Sequence, residues 1–173
     1  MSDLQRLTTR YVEREDRIRL TGENEDRGVV TLWLTQRLAN RIIGPLCRWL
    51  ESQAQDSQAA SKPSPRMQLE QTFEQERAAQ ALVPQPPVQP EGTSTESLVE
   101  SVDVQRGGKG VRLVFKDGQQ KILATLTFSS TLTRQWMAIV LGQFKAAQWP
   151  LAAWPQWMVN VGRRPEAGET KWH

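Results

Sequence analysis

Hydrophobic and polar residues alternate in a regular way near the N-terminus. Ile18 and Leu20 flank Arg19, and a polar turn is then followed by the run VVTLWL. Alternation with a period of two is typical of strands with one buried face. The segment after this run has apolar residues four positions apart, which predicts an amphipathic helix. Residues 1–51 therefore predict three strands and a helix, a βββα unit.

A similar order of elements recurs near the C-terminus. Val111 and Leu113 flank Arg112, the run ILATLTF follows, and a second amphipathic helix comes next. Residues 98–160 therefore predict a second βββα unit, and the whole chain predicts an α+β fold. A shift of 94 residues places the helix positions of the first unit on those of the second: Ile42 on Trp136, Leu46 on Val140 and Leu50 on Phe144.

The two units are interpreted as an internal repeat that packs as a pseudo-dimer. A three-stranded meander with one apolar face needs a covering layer, and one helix in each unit supplies it. Few identities survive the shift, so the alternative is chance agreement between two ordinary strand–strand–helix segments. Thr35 or Gln36 opens the first helix, whereas residues 129–131 open the second. Pro45 is expected to kink or break the first helix.

Residues 52–97 differ in composition from both units. They contain six of the ten prolines, and Gln, Ser, Ala and Glu fill most of the remainder. Such a segment buries too little apolar surface to offset its chain entropy, so it is predicted to be a disordered, flexible linker. Within it, residues 67–82 predict a short helix that frays in the spacer or docks on the core or a partner. Residues 161–173 are predicted to be a flexible tail.

Composition and charge limit the classes of function that fit this chain. The formal net charge is only +3, although residues 98–173 carry ten basic and five acidic side chains. A nucleic-acid-binding surface usually has a denser run of Lys and Arg. The N-terminus has no apolar leader, and every apolar run is far shorter than the roughly 18 residues that span a bilayer. The sequence therefore predicts a soluble, cytoplasmic protein with no membrane segment.

Few residues are suited to catalysis or to metal binding. The only histidine is the terminal His173, and the only cysteine, Cys47, lies near the apolar face of the first helix, where a buried thiol is expected. The RGGKG sequence at residues 106–110 precedes a strand rather than a helix, so a hairpin turn is favoured over a phosphate loop. Acidic residues in the predicted turns alternate with arginines. These turns are interpreted as exposed to solvent, with the acidic charges balanced by the arginines. The sequence predicts no cofactor and no metal site.

Seven tryptophans are an excess for a chain of 173 residues. Three of them fall in the Trp/Pro segment, residues 148–158, whose two prolines exclude a regular helix through its whole length. They either cap the core or present an aromatic anchor, with two following arginines available for stacking. The candidate partner-binding residues are Trp149, Trp154, Trp157, Arg163 and Arg164.

These patterns favour a non-catalytic module that binds a protein partner or supports assembly through an aromatic surface of the second unit. The first alternative is nucleic-acid binding by the basic C-terminal third. The second is an enzyme with a site made of Arg and carboxylate side chains and no short motif. Two PxxP matches at residues 84–90 are interpreted as a spacer rather than as a ligand for a partner domain.

Overall fold

Two β-sheets and four helices make up the part of the chain that the structure describes. The computed structural model describes residues 3–53, 64–90 and 94–161. The α+β prediction is confirmed. The first sheet contains β1 Leu4–Val12, β2 Arg17–Asn24, β3 Val29–Leu34 and β4 Thr95–Leu98, in that order. The second contains β5 Ser101–Arg106, β6 Val111–Lys116 and β7 Ile122–Phe128. The helices are α1 Gln36–Gln53, α2 Pro65–Gln80, α3 Ser130–Ala147 and α4 Gln156–Val159.

The alternating pattern of the first unit gives its sheet one apolar face. Ile18 and Leu20 are fully buried, and both lie opposite buried leucines of β3. Arg19 lies between them and therefore points to the opposite face, because successive side chains of a strand alternate. The turn before β2 ends at Asp16, which has a positive φ of 48° that tightens the reversal.

The glycine-rich loop between β5 and β6 is a hairpin turn, as the sequence predicts. The Gly107 N–H donates to the Gly110 carbonyl across 2.8 Å, and Arg106 pairs with Val111 in the antiparallel ladder. A Cβ atom on Gly110 would lie 2.9 Å from the Phe128 carbonyl oxygen. Glycine is therefore required there by the close approach of β7.

The two sheets adjoin at both ends. At one end the chain passes directly from β4 to β5: the Val99 N–H donates to Trp33 O of the first sheet, and the Glu100 N–H donates to Lys116 O of the second. At the other end Asp3 forms a parallel bridge with Thr125 of β7 and accepts a hydrogen bond from its hydroxyl. The Asp3 bridge covers part of the outer edge of β7, where unpaired backbone groups would otherwise be exposed.

Each long helix packs against the edge strand of the other unit. The Trp136 indole of α3 donates to Thr9 on β1, and Gln143 of α3 accepts from the Tyr11 N–H. In return the Trp49 indole of α1 donates to Gly107 O, directly after β5. Buried side chains from both units form one continuous core, so the two units pack together as a single body.

The helix starts follow the predicted caps. Thr35 Oγ1 accepts from the Leu38 N–H at the start of α1, and Ser129 Oγ accepts from the Leu132 N–H at the start of α3. Each hydroxyl satisfies a backbone donor that has no partner within the helix. Pro45 lies inside α1, and the helix runs through it without the break that the sequence allowed.

The segment predicted as a flexible linker contains packed structure. Helix α2 lies inside it and packs against α3 and α4, and β4 pairs in parallel with β3. Between them, the buried Val88 donates its N–H to Thr8 on the outer side of β1. Helix α2 is the short helix predicted for residues 67–82, in its docked form, whereas residues 95–97 of the predicted linker belong to the strand β4. Residues 54–63 and 91–93, like the predicted tail from residue 162 onward, lie outside the described residues.

Candidate functional site

The three tryptophans of the Trp/Pro segment are buried. Trp149, Trp154 and Trp157 are 7%, 4% and 4% exposed. Phe144 of α3 meets the first two edge-on, with ring centroids 5.0 and 5.3 Å apart. Gln148 caps the C-terminal end of α3 in a left-handed backbone conformation with a φ of 58°, and α4 then packs against α2. The capping interpretation therefore describes these indoles, and an exposed aromatic anchor does not.

The other two candidate partner-binding residues are Arg163 and Arg164, and both lie outside the described residues. The structure therefore describes three of the five sequence-predicted residues, and these three are buried. It does place the indoles of Trp149 and Trp157 in defined polar contacts. Trp149 donates to Asp16 across 3.2 Å, and Trp157 donates to Glu51 of α1 across 3.2 Å.

A polar seam lies between α2 and the platform made by α3 and α4. Arg134 of α3 donates to the side-chain oxygen of Gln71 across 2.6 Å, and Gln75 donates to the Arg134 carbonyl across 2.8 Å. Gln135 donates to Ala78 O across 2.9 Å. All five residues in these three hydrogen bonds are buried, where a hydrogen bond is electrostatically stronger than in water. Helix α2 is therefore held by directed polar contacts as well as by packing.

Arg134 is the centre of this seam. Its guanidinium lies 5.5 Å from the Trp157 ring centroid, in cation–π geometry. Burial lowers the pKa of Arg134, and the nearby Glu74 carboxylate opposes that shift. The guanidinium nevertheless stays charged, since its ordinary pKa is far above neutrality. A buried charge needs hydrogen-bond partners in good geometry. Because Arg134 contacts Gln71 and Gln75 of α2 as well as the Trp157 ring, it fixes the position of α2 relative to Trp157.

The face of α2 that points away from the seam carries its largest apolar side chains. The buried positions are Met67, Gln71, Gln75 and Ala78. Leu69 and Phe73 lie on the opposite side and are 71% and 59% exposed. They are four residues apart, so their side chains are neighbours on the helix surface. We call these two residues the α2 outer face. It is an apolar pair on a helix whose buried side is largely polar.

Two groups that could act in acid–base or nucleophilic chemistry, Cys47 and Tyr11, have raised pKa values. Burial, with the Glu51 charge, raises the pKa of Cys47 to about 12, so the thiol is protonated and a poor nucleophile at neutral pH. The hydrogen bond from Tyr11 OH to Asp16 raises the pKa of that tyrosine. Across residues 3–53, 64–90 and 94–161, no group of three or more His, Cys, Asp or Glu could hold a metal ion.

Comparison with known proteins identifies no relative of this chain. No family model, no curated protein and no solved structure matches the chain. Among the described helices, none combines the length and the apolar character that crossing a membrane requires. Functional inference therefore rests on the surfaces and contacts of this chain.

Sequence reasoning missed the polar seam and the α2 outer face. It predicts a short helix over residues 67–82 without separating the two faces on which Met67, Leu69 and Phe73 lie. The structure separates them, because Met67 points inward and the other two point outward. The signal that could have shown this is the spacing of Gln71, Gln75 and Ala78, which continues the Met67 face at helical intervals.

Proposed function

We propose that this protein is a non-catalytic binding module in which two related βββα units form a rigid body and α2 presents the recognition surface to a protein partner. The observation that carries the proposal is the orientation of α2, with Gln71 and Gln75 buried and with Leu69 and Phe73 exposed. Apolar side chains on the outer face of a docked helix are typical anchors for a hydrophobic groove on another protein.

Several features support the internal repeat on which the rigid body is built. A shift of 94 residues carries all of α1 onto all of α3, and carries the capping Thr35 onto the capping Ser129. The inward cross-strand pairs also correspond. Ile18–Leu34 and Leu20–Leu32 of the first sheet have the counterparts Val111–Phe128 and Leu113–Leu126 in the second. The reciprocal packing of each helix on the other unit is what a pseudo-twofold arrangement requires.

The buried Trp/Pro segment supports the proposed function because it contacts α2 and Arg134. The Trp157 carbonyl lies within 3.5 Å of the Thr72 hydroxyl of α2, and the Trp157 ring lies against Arg134. The aromatic excess of the second unit thus builds the platform that positions α2. A pre-positioned helix loses less conformational entropy on binding than a free one, which favours affinity.

Removing the α2 outer face should abolish partner binding without unfolding the protein. We expect the double variant Leu69→Ser/Phe73→Ser to retain less than about a tenth of the cross-linked partner that the full-length wild type captures in its native cells, since central apolar anchors each contribute about 2 kcal/mol or more. The measurement is quantitative mass spectrometry after tag capture. Thermal unfolding should stay within about 2 °C, because both side chains are exposed.

The matched control is Ile122→Ser/Ile139→Ser, which removes two exposed apolar side chains from the second unit. This control should capture the same partner at the wild-type level. The proposal is contradicted if the α2 variant and the control retain the partner equally well. It is also contradicted if the wild type captures no partner that survives comparison with an unrelated tagged protein.

A further inference from the structure

The outer face of the first sheet carries a row of four side chains, one from each strand. Arg10 on β1 lies directly opposite Arg19 on β2, and Arg19 lies directly opposite Trp33 on β3. Trp33 in turn pairs with Leu98 on β4. Directly opposite residues share a face of the sheet. We call this set the Arg/Trp row.

The buried neighbours along each strand show that the row points away from the core. Ile18 and Leu20 on either side of Arg19 are fully buried, and Leu32 and Leu34 on either side of Trp33 are buried as well. Since side chains alternate across a strand, the residue between each pair faces outward. Trp33 and Arg19 are half-buried, whereas Arg10 and Leu98 are exposed.

Two cations facing each other across a strand pair are unfavourable without an anion. Like charges directly opposite destabilise a sheet. Among the described residues, no carboxylate forms an ion pair with Arg10 or Arg19; the nearby Glu23 pairs with Arg6 instead. Arg17 lies two residues before Arg19 on the same face and adds a third cation. The row therefore concentrates positive charge that no ion pair among the described residues neutralises.

An open groove gives a ligand access to this charge. It has a volume of about 570 Å³ and is lined by both arginines of the row together with residues of the β1–β2 turn and the end of α3. One carboxylate, Glu13, also lines it, and Glu96 is exposed on the outer face of β4. Since like charges repel, we expect the anionic part of a ligand to contact the two arginines rather than these acids.

We propose that the Arg/Trp row binds single-stranded nucleic acid. Guanidinium groups pair with backbone phosphates, and an indole half-exposed on a sheet gives an unpaired base a surface for stacking. The combination of an aromatic ring with cations favours this ligand over inorganic phosphate, which offers nothing to stack. It also favours a single strand over a duplex, whose bases are already stacked within the helix.

The test measures binding of a fluorescein-labelled 15-nucleotide oligo(dT) by anisotropy, with the full-length protein and a series of salt concentrations. We expect Arg10→Ala/Arg19→Ala to weaken binding at least tenfold, and to reduce the slope of log K against log salt by about 1.4, since each phosphate contact with a single strand contributes about 0.7. Trp33→Leu should weaken binding about fivefold or more, the loss expected for one stacked base.

The matched control is Arg66→Ala/Arg77→Ala, which removes the same charge from the exposed side of α2, where both arginines are ion-paired locally. This control should bind the oligonucleotide within about twofold of wild type. An equal loss in both double variants would overturn the proposal, because binding would then follow net charge alone. Failure of the wild type to bind at 50 mM salt (about the low-salt limit of such titrations) would overturn it as well.

Two competitors separate a single strand from other anionic ligands. Duplex DNA and polyglutamate of equal charge should compete more weakly than unlabelled oligo(dT). If either competes equally well, the site recognises a duplex or an acidic protein, and the proposal is wrong. The Leu69→Ser/Phe73→Ser variant should bind the oligonucleotide like wild type, since the row and the α2 outer face lie on different elements.

Discussion

Leu46→Asp is expected to leave the chain unfolded. Leu46 is fully buried on α1, in the small apolar space that it shares with Met137, Val140 and Trp154. A carboxylate there would lie among apolar side chains, and an unpaired buried charge costs several kcal/mol, comparable with the whole stability of a domain. Far-UV circular dichroism and urea titration should show loss of cooperative unfolding.

The control for this substitution is Gln53→Asp, which introduces the same charge on the same helix at an exposed position. It should unfold within about 1 kcal/mol of wild type. A soluble Leu46→Asp variant that unfolds cooperatively near the wild-type midpoint would contradict this prediction. The contact between α1 and α3 would then not be the centre of the core, and the claim that the two units share one core would be wrong.

Trp157→Ala is expected to lower the free energy of unfolding by about 3–5 kcal/mol, the usual cost of truncating a buried tryptophan. For a chain of this size the loss corresponds to a fall of roughly 6–20 °C in Tm. The indole contributes packing, the hydrogen bond to Glu51 and the ring beneath Arg134. Differential scanning calorimetry measures the change directly.

Trp157→Phe separates these contributions. It retains an aromatic ring beneath Arg134 but removes the indole N–H, and the half-buried Glu51 can then be hydrated. We expect a loss of about 1–2 kcal/mol, well below that of the alanine variant. If the alanine variant melted at the wild-type temperature, Trp157 would be a surface residue, and the sequence-based hypothesis of an aromatic anchor would regain support.

The strands and long helices could be predicted because their signals are local. Alternation around Arg19 and Arg112 marks half-buried strands, and the hydroxyls of Thr35 and Ser129 mark the helix starts. Burial of Cys47 followed from its place on the apolar face of α1. These features depend on residues a few positions apart, which a single sequence displays.

The sequence leaves open whether α2 docks on the core, because polar side chains hold it there. Gln71 and Gln75 are residues typical of a solvated spacer. They become buried because Arg134, from a distant part of the chain, provides hydrogen-bond partners for both. β4 is short and largely polar, and it becomes a strand by pairing with β3. The capping role of the tryptophans likewise depends on partners that are distant in the chain, such as Asp16 and Glu51.

The Arg/Trp row is a candidate site that could not be predicted from the sequence either. Arg10, Arg19 and Trp33 are unremarkable in sequence, and only the register of three strands places them side by side. Register follows from the inward hydrophobic pattern and the turn geometry together, so it is specified by the fold rather than by a motif. A surface built across strands leaves no short sequence signature.

Hydrogen exchange of the α2 backbone amides tests the central claim most directly. An isolated helix of this length is marginal in water, so protection of α2 in the intact protein reports its docking on α3 and α4. We predict that amides between Leu69 and Gln80 exchange at least about 100-fold more slowly than in an unstructured peptide. Exchange at the unstructured rate would contradict the docked helix, and with it the orientation that exposes Leu69 and Phe73.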